Sequence, residues 1–425
     1  MIVSAWWLLA SAIPVLMLGE LLVRKIKFLG RFNIPAPVAS GLLVSLLILL
    51  GNLTGLLVFK LETKVAAQWW TWLVTIEPQW LSRPLVNVHQ PFLVAFFTCI
   101  GLNASWSIAK RGSVQVLIFL ILAGTLAVIQ NVVGVLLAKS LGMPPLLGLV
   151  CGSVSMTGGH GTALGFGPLL EKSGLAGAGV LGVAAATFGL VCGGLIGGPV
   201  GGRLILKNKL KSTASRNIHL EAGNPSESGI LNDFHALAGF GKKFLAHLVV
   251  LLACIKLGAW LSFFIQQTNL TFPVYMGAML LGVLVRNAVD LSGVRWIDTE
   301  IVDTLGSVAL GVFLAVAMMS LNLMELSGAA MPMLVILSVQ VVIMLLFAWF
   351  ITFRVMGRDL DAAVMAGGHC GFGMGATPNA VANMKSLVET FGPAPRAFLV
   401  VPIVGGFLID FLNAMNITFF INLVK

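Results

Sequence analysis

Apolar runs of about 20 residues recur along the whole chain, separated by short polar loops. That is the length of helix needed to cross a hydrocarbon core of about 30 Å. The pattern predicts ten spans, at 4–23, 36–56, 91–109, 114–139 and 176–200, then 244–266, 273–289, 304–323, 330–353 and 396–422. Two further stretches, 144–168 and 360–388, are too rich in glycine and polar residues for ordinary spans. Another, "VAAQWWTWLVTIEPQWLS" at 65–82, carries four tryptophans at short spacing and reads as an interfacial anchor at headgroup level. In the first run the charges follow the apolar segment and no basic region precedes it, so a retained helix is predicted, not a cleaved leader.

Composition turns this pattern into a class. Of 425 residues, 58% are hydrophobic and only 10% charged, with a mean hydropathy of +0.99, where a soluble domain carries about 25% charged residues. The chain reads as a polytopic integral membrane protein. Its net charge of +10 does not point to nucleic acid, because Lys and Arg collect in the loops that set topology. Arg24, Lys25, Lys27 and Arg31 follow the first span; Lys110 and Arg111 follow the third. Arg203, Lys207, Lys209, Lys211, Arg216, Lys242 and Lys243 follow the fifth, Arg286 and Arg295 the seventh, and Arg354 and Arg358 the ninth. Every odd-numbered span thus delivers positive charge to one side, predicted to be cytoplasmic, with both termini on the other. The five cysteines are scattered and mostly inside apolar runs, which suits small buried residues and neither a disulfide framework nor a zinc cluster.

The polar stretch at 203–242 predicts a mobile cytoplasmic linker between two halves, 1–202 and 243–425. The halves echo one another. "NIPAPVASGLLVSLL" at Asn33 resembles "TFPVYMGAMLLGVLV" at Thr271; "FLVAFFTCIGLNASW" at Phe92 resembles "VFLAVAMMSLNLMEL" at Val312, which aligns Asn103 with Asn322. Gln130-Asn131 in the fourth span has a partial counterpart in Gln340 of the ninth. "MTGGHGTALGFGPLLEKSG" at Met156 and "AGGHCGFGMGATPNAVANM" at Ala366 both fall between the fourth and fifth spans of their half. Because five is odd, the second half starts from the opposite face, so the repeats are predicted to be inverted. Inverted repeats with discontinuous polar segments at matching places are the mark of a secondary transporter with its site near the midplane. The two glycine-rich stretches would be re-entrant hairpins, since irregular backbone at that depth must be buried in protein or line a cavity.

The chemistry at such tips follows from residue type. Glycines let backbone N–H and C=O groups approach a ligand, and half-helix termini serve anions at one end and Na⁺ at the other. Ser153, Ser155, Thr157 and Thr162 in the first stretch, and Thr377, Asn379 and Asn383 in the second, supply hydroxyls and amides without fixed charge. A competing reading makes these stretches small-residue packing motifs; Pro378-Asn379 and the paired histidines argue against it. His160 and His369 suggest a metal pair, with Cys370, but no third or fourth ligand has useful spacing. Bracing of the hairpins is the better reading, with a proton relay as the other. Asp410, inside the last span, is a functional candidate for pairing with an ammonium group or a cation, with Asn413 nearly on its face; a helix–helix hydrogen bond is the plain alternative. Asn103 and Asn322 place one polar residue from each half at matching depths. Glu20 is explained by Arg24 at i, i+4, and Arg286 by topology.

"SGLLV", "FFTCIGLNA", "GGHGTA", "ATFGLVCGGLIGGPV", "GGHCGFGMGATPNAVANM" and "FGPAPRAFLVVPIVGGFLIDFLNA" occur in this order over nearly the whole chain and together resemble the bacterial sodium/glutamate symporter family. The resemblance implies Na⁺-coupled glutamate uptake across the bacterial inner membrane, no enzymatic activity and no cofactor besides the coupling ion. It also implies two inverted five-span repeats in an all-α fold, and kinship with sodium/citrate carriers that work as homodimers by an elevator motion. Substrate is then expected at Ser155, Thr157, Gly158, Gly159, Gly161, Thr162, Asn103, Asn322, Gly371, Thr377, Asn379 and Asp410. Sodium is expected at Ser153, Ser155, Gly367, Gly368, Thr377, Asn379, Asn383, Asp410 and Asn413, with no transition metal. The hairpins with spans three to five and eight to ten would form the moving unit, and spans one, two, six and seven the scaffold. Spacing alone leaves citrate or another small organic acid open as cargo. A channel lacks a reason for paired inverted halves, and no nucleophile, acid–base set or metal cluster for an intramembrane enzyme is legible.

Overall fold

The computed structural model describes residues 2–54, 60–76, 86–105, 113–211, 230–268, 273–293, 296–326 and 328–424. Lys110, Arg111, Arg216 and Arg295, the end of the third span, residues 77–82 of the tryptophan stretch and the middle of the linker lie outside the described residues.

Long apolar helices dominate. Helix α1 is Ala5–Lys25, and α2 is Ala36–Thr54. Helix α3 is Gln68–Val74, α4 Gln90–Asn103 and α5 Ser113–Ser140. Helix α6 is Pro145–Val154, α7 Gly159–Lys172 and α8 Ala178–Asn208. In the second half come α9 (Ile230–Gly239), α10 (Lys242–Gln266), α11 (Val274–Leu291), α12 (Thr299–Met319) and α13 (Ala330–Val355). The series ends with α14 (Leu360–Phe372), α15 (Thr377–Phe391), α16 (Pro395–Gly406) and α17 (Ile409–Val424). Among the described residues eight helices are long and apolar enough to cross a membrane, and nine if α16 and α17, bent by 41°, form one broken span.

Several expectations are revised. The third span is described as a helix of only 14 residues, α4, about 21 Å at 1.5 Å per residue. The fifth, predicted to end at residue 200, stays helical to Asn208, because Arg203, Leu204, Ile205, Leu206 and Lys207 are adequate helix formers once the apolar run ends. The linker's far end is helical too, as α9. The fold is all-helical as expected, with two short ladders added: β1 (Ile2–Val3) pairs parallel with β2 (Lys60–Leu61), and β3 (Lys64–Val65) antiparallel with β4 (Val86–Asn87). These two-residue ladders satisfy extended backbone around the tryptophan stretch. There α3 has seven residues, too few to span, and Trp69 stacks on Trp6 with centroids 5.9 Å apart.

The chain forms two compact units, each drawn from both halves of the sequence. One comprises Met1–Ser105 with Ser226–Met324, the other Trp106–Pro225 with Glu325–Lys425. The third and eighth spans, α4 and α12, therefore group with α1, α2, α10 and α11, and not with the hairpins. In this first unit the core joins Leu8, Leu16, Val312 and Met319, Phe97 stacks on Tyr275 at 3.9 Å, and small residues bring α4 and α10 against α11.

The second unit is assembled on α8. Gly189, Gly193, Gly197 and Gly201 recur every fourth residue and form one stripe along it. A methyl group at Gly193 would lie 2.9 Å from the Cys370 carbonyl oxygen, and one at Gly201 3.1 Å from that of Ala363. Only glycine lets the backbones of α8 and α14 come this close, the small-residue packing expected where lipid offers no hydrophobic drive. Helix α15 folds back antiparallel on α14, with Gly371 against Ala380, Gly368 against Met384 and Gly367 against Leu387, so both arms of this hairpin lie on α8. Arms of 13 and 15 residues reach about 20 Å, short of a full crossing. In the first glycine-rich stretch, α6 packs on α5, and α7 on α8.

Candidate functional site

Two breaks interrupt helices inside the second unit, one between α6 and α7, where helical geometry is lost at Gly152 and the turn runs over 155–158, the other at 373–376 between α14 and α15. They touch. Gly159 has a left-handed backbone (φ +64°), and a methyl group there would lie 2.7 Å from the Gly375 carbonyl oxygen, so a side chain at this position would be both strained and crowded. The Gly-Gly-His motifs are not equivalent in space, contrary to their alignment in sequence. Gly159 and His160 open the second arm of their stretch, whereas Gly367, Gly368 and His369 lie inside the first arm of theirs.

Gln130, in the middle of α5, spans both breaks. Its Oε1 accepts from the Thr157 hydroxyl at 2.7 Å, and its Nε2 donates to the Gly373 carbonyl at 2.8 Å. Gln340 on α13 donates to the backbone carbonyl of Gln130 at 2.8 Å. Next to it, Asn131 Oδ1 accepts from the Ser153 N–H at 2.9 Å, while Asn413 Nδ2 donates to the Ser153 carbonyl at 2.9 Å. Asn416 Nδ2 approaches the Ser153 hydroxyl at 3.4 Å. All but Asn416 are buried, and three amide atoms in this cluster, Asn131 Nδ2, Gln340 Oε1 and Asn413 Oδ1, have no hydrogen-bond partner among the described residues. Buried amides with a free end are uncommon enough to call for a reason.

Other predicted residues divide by role. The Ser155 hydroxyl donates to the Gly182 carbonyl at 3.0 Å and ties the first break to α8. Gly158, Gly161 and Thr162 flank or form the first turn of α7, where the N–H groups of His160 and Gly161 donate to no backbone carbonyl among the described residues. Thr377 opens α15 and donates to the Gly405 carbonyl. Asn379 donates to Leu190 O at 2.7 Å and Asn383 to Gly193 O at 3.0 Å. These two amides clamp α15 to the glycine stripe of α8. Gly367, Gly368 and Gly371 lie in α14 against Gly197, Met384 and Ala380, so their absent side chains serve close packing. Asp410 is half-buried on α17 without a hydrogen-bond partner among the described residues.

Asn103 and Asn322 both belong to the first unit. Asn103 donates to Asp303 Oδ1 at 2.6 Å, and exposed Asn322 accepts from the Met324 N–H at 3.4 Å beyond the end of α12. Their echo in sequence reflects matching helix ends. The histidines are braces: His160 Nε2 meets Thr187 Oγ1 at 3.0 Å, and His369 Nδ1 meets Thr352 Oγ1 at 2.9 Å among Phe119, Phe347 and Phe372. No group of three metal-ligating side chains occurs among the described residues. The residues that sequence reading passed over as site members are Gln130, Asn131, Gln340 and Asn416. Their signal was available, since uncharged polar side chains inside apolar spans are costly there and seldom idle.

The family model described as "Sodium/glutamate symporter" matches residues 1–76 and 81–393. A sodium/glutamate symporter from Escherichia coli K12 is 38% identical over 426 residues, 98% of this chain and 96% of its own. One from Haemophilus influenzae is 36% identical over 412 residues, 97% and 95% of the two chains. A solved sodium proton antiporter from Methanocaldococcus jannaschii covers 98% of each chain at 14% identity and a TM-score of 0.40, a likeness too loose to carry topology or function. With a family model and relatives that span it almost end to end, the chain belongs to the sodium/glutamate symporter family.

Proposed function

We propose that this chain is a multi-pass inner-membrane carrier that imports glutamate with Na⁺ by alternating access, and that its site lies at the paired breaks. The observation that carries the location is Gln130, which holds the Thr157 hydroxyl and the Gly373 carbonyl at once. A side chain tied to both breaks makes the occupancy of one felt by the other, and that is what coupling requires. The free ends of the amides divide the work. Gln340 Oε1 and Asn413 Oδ1 are uncommitted acceptors and, with the backbone oxygens of the breaks, are the hard oxygen ligands a small cation takes. Asn131 Nδ2 and the N–H groups at the start of α7 are donors, suited to a carboxylate at a helix N-terminus. Asp410, three residues before Asn413 on α17, faces the substrate ammonium or the cation. Thr157, Thr162, Ser153, Ser155 and Thr377 complete the polar lining.

The unit that holds both breaks moves with its load while the other supplies the fixed frame, the elevator reading. Two inverted repeats, a homodimer, periplasmic termini and a cytoplasmic linker go with it. Na⁺ orders the breaks first and glutamate follows, so that the empty and the fully loaded forms cross and the half-loaded form does not. Uptake of radiolabelled glutamate into proteoliposomes tests the function, with and without an inward Na⁺ gradient and with excess citrate or aspartate as competitor. Gradient-dependent uptake that citrate does not suppress is the expected result. Uptake indifferent to Na⁺ overturns the coupling, and suppression by citrate overturns the cargo.

A further inference from the structure

Away from the breaks, the outer faces of α8 and α13 enclose a groove of about 390 Å³. Leu195, Ile196, Pro199, Val200, Leu345 and Leu346 line its apolar length. Arg203, Trp349 and Phe350 close one end. Two more cations gather at that end: Lys207 Nζ sits 5.6 Å from the centre of the Trp349 ring, and the Arg354 guanidinium 5.2 Å from that of Phe350. All three cations are exposed, and none forms an ion pair among the described residues. No carboxylate lines the groove.

We infer that this groove binds an anionic phospholipid, with its phosphate among Arg203, Lys207 and Arg354 and an acyl chain along Pro199, Ile196 and Leu195. Dimensions agree. From Lys207 back to Leu195 is twelve residues of α8, about 18 Å, close to the half-thickness of a bilayer core of about 30 Å. The charge agrees as well, because three unpaired cations beside an apolar channel on a membrane-spanning helix pair match a headgroup phosphate above its own hydrocarbon. Trp349 stands at the junction, where an amphipathic ring prefers to lie. The helix ends add to the placement: both α8 and α13 finish here, and cations at helix C-termini are favoured by the backbone dipoles. The loops that share this charge assign this end to the cytoplasmic side, so the ligand comes from the inner leaflet. The inference needs no particular substrate and stands apart from the transport site.

Native mass spectrometry of the full chain, released from micelles containing equal phosphatidylglycerol and phosphatidylcholine, tests it. The parent chain is expected to retain phosphatidylglycerol in preference. Replacing Arg203, Lys207 and Arg354 by Gln is expected to reduce that preference by about five-fold per charge, the factor set by about 1 kcal/mol for a basic side chain at an anionic surface. The pair Lys242→Gln and Lys243→Gln, two basic residues outside the groove, is expected to leave it intact. Ile196→Trp fills the apolar length without touching charge and is expected to release the lipid while glutamate uptake persists. Equal retention in the triple variant, or retention undiminished by Ile196→Trp, overturns the proposal; the latter would mean that phosphate alone is bound. A disulfide between copies of a Leu195→Cys variant in native vesicles would also overturn it, because a second chain would then cover the groove.

Discussion

Gln130 and Thr157 meet at 2.7 Å across the junction of a continuous helix and a broken one, and the same glutamine amide reaches the other break through Gly373. Hydrogen bonds between membrane helices are worth about 0.6 kcal/mol on average and up to about 1.7. Removing two of them leaves a protein that folds, so an effect on transport can be separated from collapse.

Gln130→Leu is therefore expected to assemble normally by size-exclusion chromatography yet to lose most Na⁺-driven glutamate uptake. Gln130→Glu keeps an acceptor for Thr157 and loses the donor to Gly373, and falls between the two. The Na⁺ concentration for half-maximal uptake is the measurement. If both variants match the parent chain, the two breaks are not coupled through this side chain.

Asn413→Ala removes an uncommitted oxygen beside Ser153, whereas Asn103→Ala removes a partner of Asp303 in the other unit. The first is expected to raise the half-saturating Na⁺ concentration by about ten-fold, the equivalent of about 1.4 kcal/mol. The second is expected to lower thermal stability with Na⁺ and glutamate half-saturation unchanged. The reverse pattern would place Asn103, and not Asn413, in the site.

Neighbouring glycines on α8 give a packing test. A methyl group at Gly197 overlaps the Asn383 amide and the Gly367 carbonyl, while one at Gly198 meets nothing within 4 Å. Gly198→Ala is expected to be neutral or to stabilise by up to about 1 kcal/mol from helix propensity. Gly197→Ala is expected to push α14 and α15 off α8 and lower the thermal midpoint. Equal midpoints would contradict the close seam.

Acid is expected to tighten α9. Asp233 on this helix donates nothing when ionised and accepts from the Ser307 hydroxyl at 3.0 Å. Partial burial raises its pKa, against the lowering effect of the Ser307 bond and with Glu20 raising it further. A carboxyl whose folded pKa is raised adds stability below its unfolded pKa and loses it as pH rises through the folded value. The helix is thus held less firmly once Asp233 ionises. Hydrogen exchange in α9 is expected to be slower for Asp233→Asn than for the parent chain at neutral pH, with the difference vanishing as the carboxyl protonates. A difference that persists in acid would exclude Asp233 as the cause.

The sequence by itself determined the membrane class, nine of the ten apolar segments as long helices or a bent pair, and the family. Each is written in local terms: run length, loop charge and uninterrupted motifs. It also located both helix breaks, since glycine clusters and Pro378 announce departures from regular helix without outside help. The grouping of spans and the contacts around the breaks were decided by tertiary structure. Asn103 and Asn322 align in sequence but lie in the unit without the breaks, and Gly367 and Gly368 lie inside a helix whose neighbour needs the room. Gln130, unremarkable among apolar residues, becomes the link because α5 passes both breaks at its level. Periodicity records which residues leave water; it does not record which helix each will face, and the close approach of Gly159 to Gly375 joins residues more than 200 positions apart.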